Sequence, residues 1–193
     1  MRLAYAACAL LVLLGTACGP AAGRTTPSAT KPPASPTAEP TTEQTAEAIA
    51  LRLSDLPPGF ERESAERRSA PGVPAYSVSF RRGGKASTEV RGLAQVVCAT
   101  VVAPSSLGAQ AAIDQIHLPA NARSTALDEP LGDRSSAFAW ELHAGTLVFQ
   151  AYAVKFRKLN AGGMVMVVGT GGDVALSDAT SLVKTILERI TAD

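Results

Sequence analysis

The chain has 193 residues, of which 18 are basic and 17 acidic. This near balance gives no electrostatic basis for non-specific binding to nucleic acid or to an anionic surface, so no nucleic-acid partner is expected.

The first 17 residues have the three parts of a bacterial export signal. Arg2 and the amino terminus precede an apolar stretch from Leu3 to Leu14, and small residues follow it up to Cys18. A transmembrane helix needs about 20 apolar residues, and this stretch has 12. The pattern therefore predicts a signal peptide over residues 1–17 rather than a membrane span.

The residues Thr16-Ala17-Cys18 resemble the lipobox of bacterial lipoproteins, in which a small residue precedes an acylated cysteine. The resemblance implies that Cys18 carries a diacylglyceryl thioether and further acyl chains such as palmitate. The protein would then be anchored on the extracytoplasmic face of the cell membrane, because two or more acyl chains give stable attachment. The alternative is an ordinary cysteine inside a conventionally cleaved secretory peptide. Cleavage before Cys18 leaves Cys98 as the other cysteine, so no disulfide is predicted.

Residues 18–45 are predicted to be a linker that begins at the lipidated Cys18. Between Gly19 and Thr45 there are six Pro and seven Thr and no large apolar residue. Such a composition predicts a disordered stalk. Its prolines favour an extended chain of about 3.1 Å per residue, which gives a reach of roughly 80 Å.

Residues 46–193 are predicted to form a single extracytoplasmic domain, because about 150 residues suit one hydrophobic core. Apolar residues at helical spacing predict a first helix that ends before Pro57-Pro58-Gly59, and Phe60 is expected to return to the core. The buried stripe of that helix is Ala46, Ile49, Ala50 and Leu53.

A short pattern then occurs twice. Residues 76–82 and 152–158 share Tyr-x-Val-x-Phe-Arg followed by a basic residue. The alternation predicts a strand in each copy. A glycine-containing turn and a more apolar strand follow, at residues 93–102 and 164–168, and these second strands are expected to be central ones, covered on both faces.

A helix is predicted after each pair of strands. Ser105 is expected to cap the first helix and Asp173 the second. Their apolar stripes are Ala109, Ala112, Ile113 and Ile116, and Leu176, Ala179, Val183, Ile186 and Ile190. The recurring order predicts a duplicated β-β-α unit, and a chance match between two amphipathic strands is the alternative. A further strand over residues 136–143 is expected to pair with the second copy through a turn at Ala144-Gly145.

These elements predict an α+β domain in which helices pack on an antiparallel sheet. Three segments resemble surface lipoproteins of Gram-positive bacteria, mainly actinobacteria, whose role is uncharacterised. They are residues 53–60 (LSDLPPGF), 131–135 (LGDRS) and the strand end at Phe156-Arg157. The order of elements is also similar to the α/β sandwich of the photosystem subunit PsbP and of mycobacterial lipoproteins with that fold. This second resemblance concerns topology and implies no function.

The chain offers few candidates for chemistry. Cys98 lies in an apolar run, which predicts a buried hydrophobic residue rather than a nucleophile. Asp133 beside Arg134 is interpreted as a turn with a surface ion pair, because no G-x-S-x-G motif positions a neighbouring serine as a nucleophile. His117 and His143 do not belong to any ligand motif, so no metal is predicted.

Two other patterns have structural explanations. The glycine-rich residues 169–173 do not match the dinucleotide fingerprint, so a strand-to-helix turn is predicted and no cofactor is expected. Trp140, Phe138, Tyr76 and Tyr152 occupy alternating strand positions, which favours the core over a ligand-stacking surface.

The sequence thus predicts a non-enzymatic, lipid-anchored domain that binds a hydrophobic ligand or an envelope protein, with Cys18 as its lipidation site. An envelope enzyme, for instance a hydrolase whose residues converge only in the folded chain, is the alternative.

Overall fold

The architecture is known from a computed structural model that describes residues 44–70, 73–82, 92–170 and 172–191. The signal peptide, Cys18 and nearly all of the predicted linker lie outside these residues. The elements are α1 (Ala46–Ile49), a 3₁₀ turn (Leu53–Asp55), β1 (Phe60–Ala70), β2 (Val73–Arg82), β3 (Leu93–Val102), α2 (Ser106–Asp114), β4 (Arg123–Thr125), β5 (Arg134–Ala144), β6 (Leu147–Lys158), β7 (Ala161–Thr170) and α3 (Leu176–Arg189).

The strands form one seven-stranded sheet in the order β1-β2-β3-β7-β6-β5-β4. Neighbouring strands pair in an antiparallel sense, and three helices accompany the sheet. The predicted α+β class with an antiparallel sheet is confirmed. Both copies of the Tyr-x-Val-x-Phe pattern are strands, in β2 and β6, and the apolar strands that follow them, β3 and β7, lie side by side at the centre.

The face of the sheet that carries α1 and α3 holds the main core. Because side chains alternate along a strand, even-numbered residues of β2, β3 and β6 share this face. Val78, Phe80, Val154 and Phe156 belong to one buried cluster with Ala179, Val183 and Ile186 of α3. We call this surface the α3 face.

The opposite face, called the α2 face, carries α2 and the chain that follows it. Its buried residues include Trp140, Ala151, Ala153, Met164 and Val168. Lys155 lies on this face and donates a hydrogen bond from Nζ to the Ile116 carbonyl at 2.7 Å, and partial burial lowers the pKa of its ammonium group. The two β-β-α segments therefore place their helices on opposite faces of one sheet.

The first helix is shorter than predicted. α1 ends at Ile49, and Leu53 is 47% exposed instead of buried. Ala50 has an extended backbone, and both Ala50 and Leu51 are buried, so the buried stretch continues in extended chain after the helix ends. The following 3₁₀ turn is held by Asp55, which accepts a hydrogen bond from the Arg52 N–H at 2.6 Å.

The helix caps agree with the sequence in one case and differ in the other. Ser105 caps α2 by accepting the Gly108 N–H at 3.1 Å, as predicted. α3 begins later than expected, and its N-cap is Ala175 instead of Asp173. The Asp178 carboxylate accepts the Ala175 N–H at 2.8 Å, so an acid inside the first turn supplies the interaction expected from Asp173.

Within the described ranges, no helix combines the length and the hydropathy that crossing a membrane requires.

Candidate functional site

Cys18, the predicted lipidation site, lies outside the described residues, and the structure does not bear on it. Cys98 is described and fully buried in β3. Burial raises the pKa of its thiol to about 12. A thiol with such a pKa is protonated at neutral pH and is a poor nucleophile, so Cys98 is a core residue, as the sequence predicts.

The two histidines lie on different segments of the chain. His117 follows α2 and His143 lies near the end of β5, and both side chains are exposed. His143 Nε2 lies 3.7 Å from the Glu141 carboxylate. In the part of the chain that the structure describes, no three His, Cys, Asp or Glu side chains gather as a metal site would require.

Asp133 stabilises a turn, and its partner differs from the predicted one. Its Oδ2 accepts the Leu159 N–H at 2.7 Å and lies 3.3 Å from Arg157 Nη1, so the ion pair forms with Arg157 and not with Arg134. Leu159 has a φ of +57°, a strained value for a residue with a side chain. Ser135 Oγ accepts the Leu131 N–H at 3.0 Å. The cluster therefore holds two turns together.

The glycine-rich stretch at the end of β7 has a packing role at Gly169. A Cβ placed there would lie 2.4 Å from the Gly92 carbonyl oxygen, so the close approach of the chain before β3 requires glycine. Residue 171 lies outside the described ranges.

Most of the aromatic residues belong to the core, as predicted. Tyr76 and Trp140 are buried, whereas Phe138 and Tyr152 are half-buried. Trp140 Nε1 is buried and has no hydrogen-bond partner in the described part of the chain.

A shallow open groove runs beside the edge strand β1. Its volume is about 500 Å³, and it begins where a bulge interrupts the pairing of β1 with β2 between Arg62 and Ser64. The buried ring of Tyr76 contributes to its lining. The remaining lining residues are Glu47, Arg62, Glu63, Ser64, Ala65 and Arg67. We call this feature the β1 groove.

The charges of the β1 groove are partly paired. Arg67 Nε donates to Glu47 at 2.9 Å, and this hydrogen bond raises the pKa of the arginine. Glu63 pairs with Arg81 at 2.7 Å. Arg62 is exposed and has no ion-pair partner among the described residues. The lining of the groove therefore includes one guanidinium without an ion-pair partner among the described residues, that of Arg62, and one that belongs to an ion pair, that of Arg67.

The β5–β6 hairpin forms a second unusual surface, which we call the hairpin end. Five large apolar side chains are exposed among the described residues, and three of them lie here: Leu142 (38%), Leu147 (40%) and Val148 (44%). β7 pairs with β6 only from Phe149 onward, so the turn at Gly145 and Thr146 extends past the neighbouring strand. Gly145 has a φ of +64° and open space around it.

The sequence signals for these two surfaces differ in strength. The charged residues 61–68 carry no apolar alternation, so neither β1 nor its groove was predicted. Leu142 lies two residues from Trp140 on the strand predicted over residues 136–143, but its exposure depends on where β7 ends. No protein-family model, curated protein or solved structure matches the chain.

Proposed function

We propose that the protein is a non-enzymatic, lipid-anchored binding domain on the extracytoplasmic face of a bacterial cell membrane, and that it binds an envelope protein in the β1 groove. In this proposal residues 1–17 are a signal peptide, Cys18 carries the lipid, and residues 18–45 are a disordered linker. The anchor is supported by the order of residues before Cys18, in which a basic residue is followed by an apolar stretch and then by small residues. The resemblance to actinobacterial surface lipoproteins supports the same location.

The β1 groove is the observation that carries the binding proposal. Its lining combines an unpaired arginine with acidic residues and a tyrosine ring. Arginine is among the residue types that contribute most to protein interfaces, and both Arg62 and Arg67 are exposed here. A partner segment with an acidic residue opposite Arg62 would satisfy that charge with a charge-assisted hydrogen bond.

Site-specific photo-crosslinking in the native host tests this binding role. A photoreactive side chain at Ser64, inside the groove, is expected to capture one protein, and the same group at the exposed Glu188 of α3 is the matched control. Arg62→Glu is expected to reduce capture at least about tenfold, because the loss and reversal of one charged contact costs more than about 1.4 kcal/mol.

Equal capture from Ser64 and Glu188, or capture that is indifferent to Arg62→Glu, would show that the groove is not the binding site. Mass spectrometry of the same purified protein tests the anchor independently, since an acylated Cys18 adds the mass of its lipid.

We also propose that the two β-β-α segments derive from one duplicated unit. The support is the order β2-β3-β7-β6, in which two hairpins meet through their second strands. The opposite placement of α2 and α3 requires one helix to have changed faces after duplication. An internal alignment of many homologous sequences that finds no similarity between the halves would count against it.

A further inference from the structure

We propose that the hairpin end enters the outer surface of the lipid bilayer and forms a second membrane contact beside the lipid on Cys18. This inference rests on the proposed lipid anchor, and it concerns residues on other elements than the β1 groove. The surface consists of Leu142, Leu147 and Val148 around the Gly145 turn.

The distribution of apolar side chains favours a bilayer over a protein groove. Leu142 pairs with Phe149 and Ala144 with Leu147, so these side chains share the α2 face. Val148 pairs with His143 and points to the opposite face. A protein groove covers one face of a hairpin, whereas lipid surrounds both. Apolar side chains on both sides of a projecting turn therefore fit lipid better.

The polar residues of β5 limit how deeply the hairpin enters. Glu141 and His143 are exposed and lie near each other. Glu141 is four residues from Gly145, which places it about 13 Å from the turn along the strand. An interfacial segment typically buries its apolar side about 5–10 Å deep. At a depth of about 10 Å the turn, Leu147 and Val148 lie among the acyl chains. Leu142 and His143, three and two residues from Gly145, lie near the outer boundary of these chains, and Glu141 stays in water.

The length of the chain before the domain allows this orientation. The Ala46 carbonyl accepts a hydrogen bond from Thr100, and the strand pairings place Thr100 level with Gly163 and Phe156. Phe156 is nine residues from Leu147 along β6, so the domain begins about 30 Å from the hairpin end. The 25 residues between Cys18 and Gln44 can span roughly 80 Å. The linker is therefore long enough for the hairpin end to reach the membrane in which Cys18 is anchored.

A quenching experiment on tethered protein tests the contact. The chain from Cys18 to Asp193 is coupled through Cys18 to a maleimide lipid in phosphatidylcholine–phosphatidylglycerol vesicles. Cys98 does not compete because it is buried. Thr146→Trp adds a fluorescent reporter at the turn. Its emission is the difference between the emission of this variant and that of the unsubstituted chain, whose one tryptophan is Trp140. Lipids brominated near the headgroup end of their acyl chains are expected to quench this emission about twofold or more.

Two variants give the proposal its controls. The pair Leu142→Ser and Leu147→Ser is expected to abolish quenching, whereas Leu107→Ser, at a leucine of α2 that is 79% exposed, leaves it unchanged.

Absence of quenching in the Thr146→Trp protein, or quenching that survives the serine pair, would overturn the proposal. If the hairpin end binds a protein instead of lipid, the Thr146→Trp protein is expected to show no quenching. The protein is coupled to the vesicle chemically, so the quenching result does not depend on whether the host acylates Cys18. Failure of the membrane contact can therefore be told apart from failure of the proposed lipid anchor.

Discussion

Cys98 makes the stability of the domain depend on pH in the alkaline range. Its thiol pKa is raised from 9.0 to about 12 by burial. Above pH 9.0 the unfolded chain loses this proton while the folded chain keeps it, so rising pH favours unfolding. Below pH 9.0 both states keep the proton and the contribution is fully present.

We expect the parent to lose stability relative to Cys98→Ala by up to about 1.4 kcal/mol per pH unit above 9. Urea unfolding of both proteins between about pH 8 and 10.5 measures this difference. The other titrating groups are present in both proteins, so their contributions cancel in the comparison. A difference in the free energy of unfolding that stays constant across this pH range would show that the thiol ionises normally in the folded chain.

Single residues were predictable where their environment is local in sequence. The burial of Phe60 and Cys98 and the capping role of Ser105 follow from neighbouring residues, and the structure confirms them. The partner of Asp133 was not predictable, because Arg157 is 24 residues away and meets it only through the fold. The exposure of Leu142 likewise depends on strand ends elsewhere in the chain.

Arg189 joins the end of α3 to the segment before β1. Its Nη1 donates to the Ala50 carbonyl and its Nη2 to Asp55 Oδ1, both at 2.6 Å. The Asp55 side chain is only 10% exposed. Removing one partner of such a pair leaves a nearly buried charge without compensation.

We expect Arg189→Met to lower the free energy of unfolding by about 2 kcal/mol and to speed hydrogen exchange of the α1 amides. Lys184→Met is the matched control, since Lys184 also lies on α3 but its pair with Glu129 is exposed. The control is expected to cost less than about 1 kcal/mol. Similar costs for both, measured by urea unfolding, would contradict a docking role for Arg189.

Whole elements were predictable where large apolar residues mark at least one face. In β2 and β6 the large apolar side chains alternate along the strand, so both strands were predicted. β1 lies at the edge of the sheet and its residues 61–69 are exposed. Six of its eleven residues are charged, which suits an edge strand that must not pair with other chains and hides the strand from pattern analysis. α1 was predicted too long because buried residues continue into extended chain.

The pairing of β3 with β7 joins the two halves of the sheet, and Gly163 allows it. A Cβ at Gly163 would lie 1.9 Å from the Ala99 carbonyl oxygen. Gly163→Ala must therefore displace backbone at the centre of the sheet. We expect it to lower the free energy of unfolding by about 3 kcal/mol.

Gly145→Ala is the control for Gly163→Ala, because Gly145 has open space around it and a φ of +64°. Its expected cost is about 1 kcal/mol, from backbone strain alone. Urea midpoints of the two variants give the comparison. If both shift equally, close approach across the β3–β7 pairing does not limit stability.

At the scale of the whole molecule, the class was predictable and the arrangement was not. Alternating strands and amphipathic helices predict an α+β domain, and the structure confirms it. Nothing in the residues of α2 and α3 shows on which face each helix packs, because both need only an apolar surface. The candidate surfaces depend on that arrangement, and so they emerged only from the folded chain.

The central pairing also has a consequence in time. β3 ends at Val102 and its neighbour β7 begins at Ala161. A chain that is delivered from its amino end, by synthesis or by the export that the signal peptide predicts, presents β3 nearly sixty residues before β7. Throughout that interval the apolar β3 has β2 on one side and an open edge on the other. A newly made chain is therefore most prone to join another copy before its own second half exists.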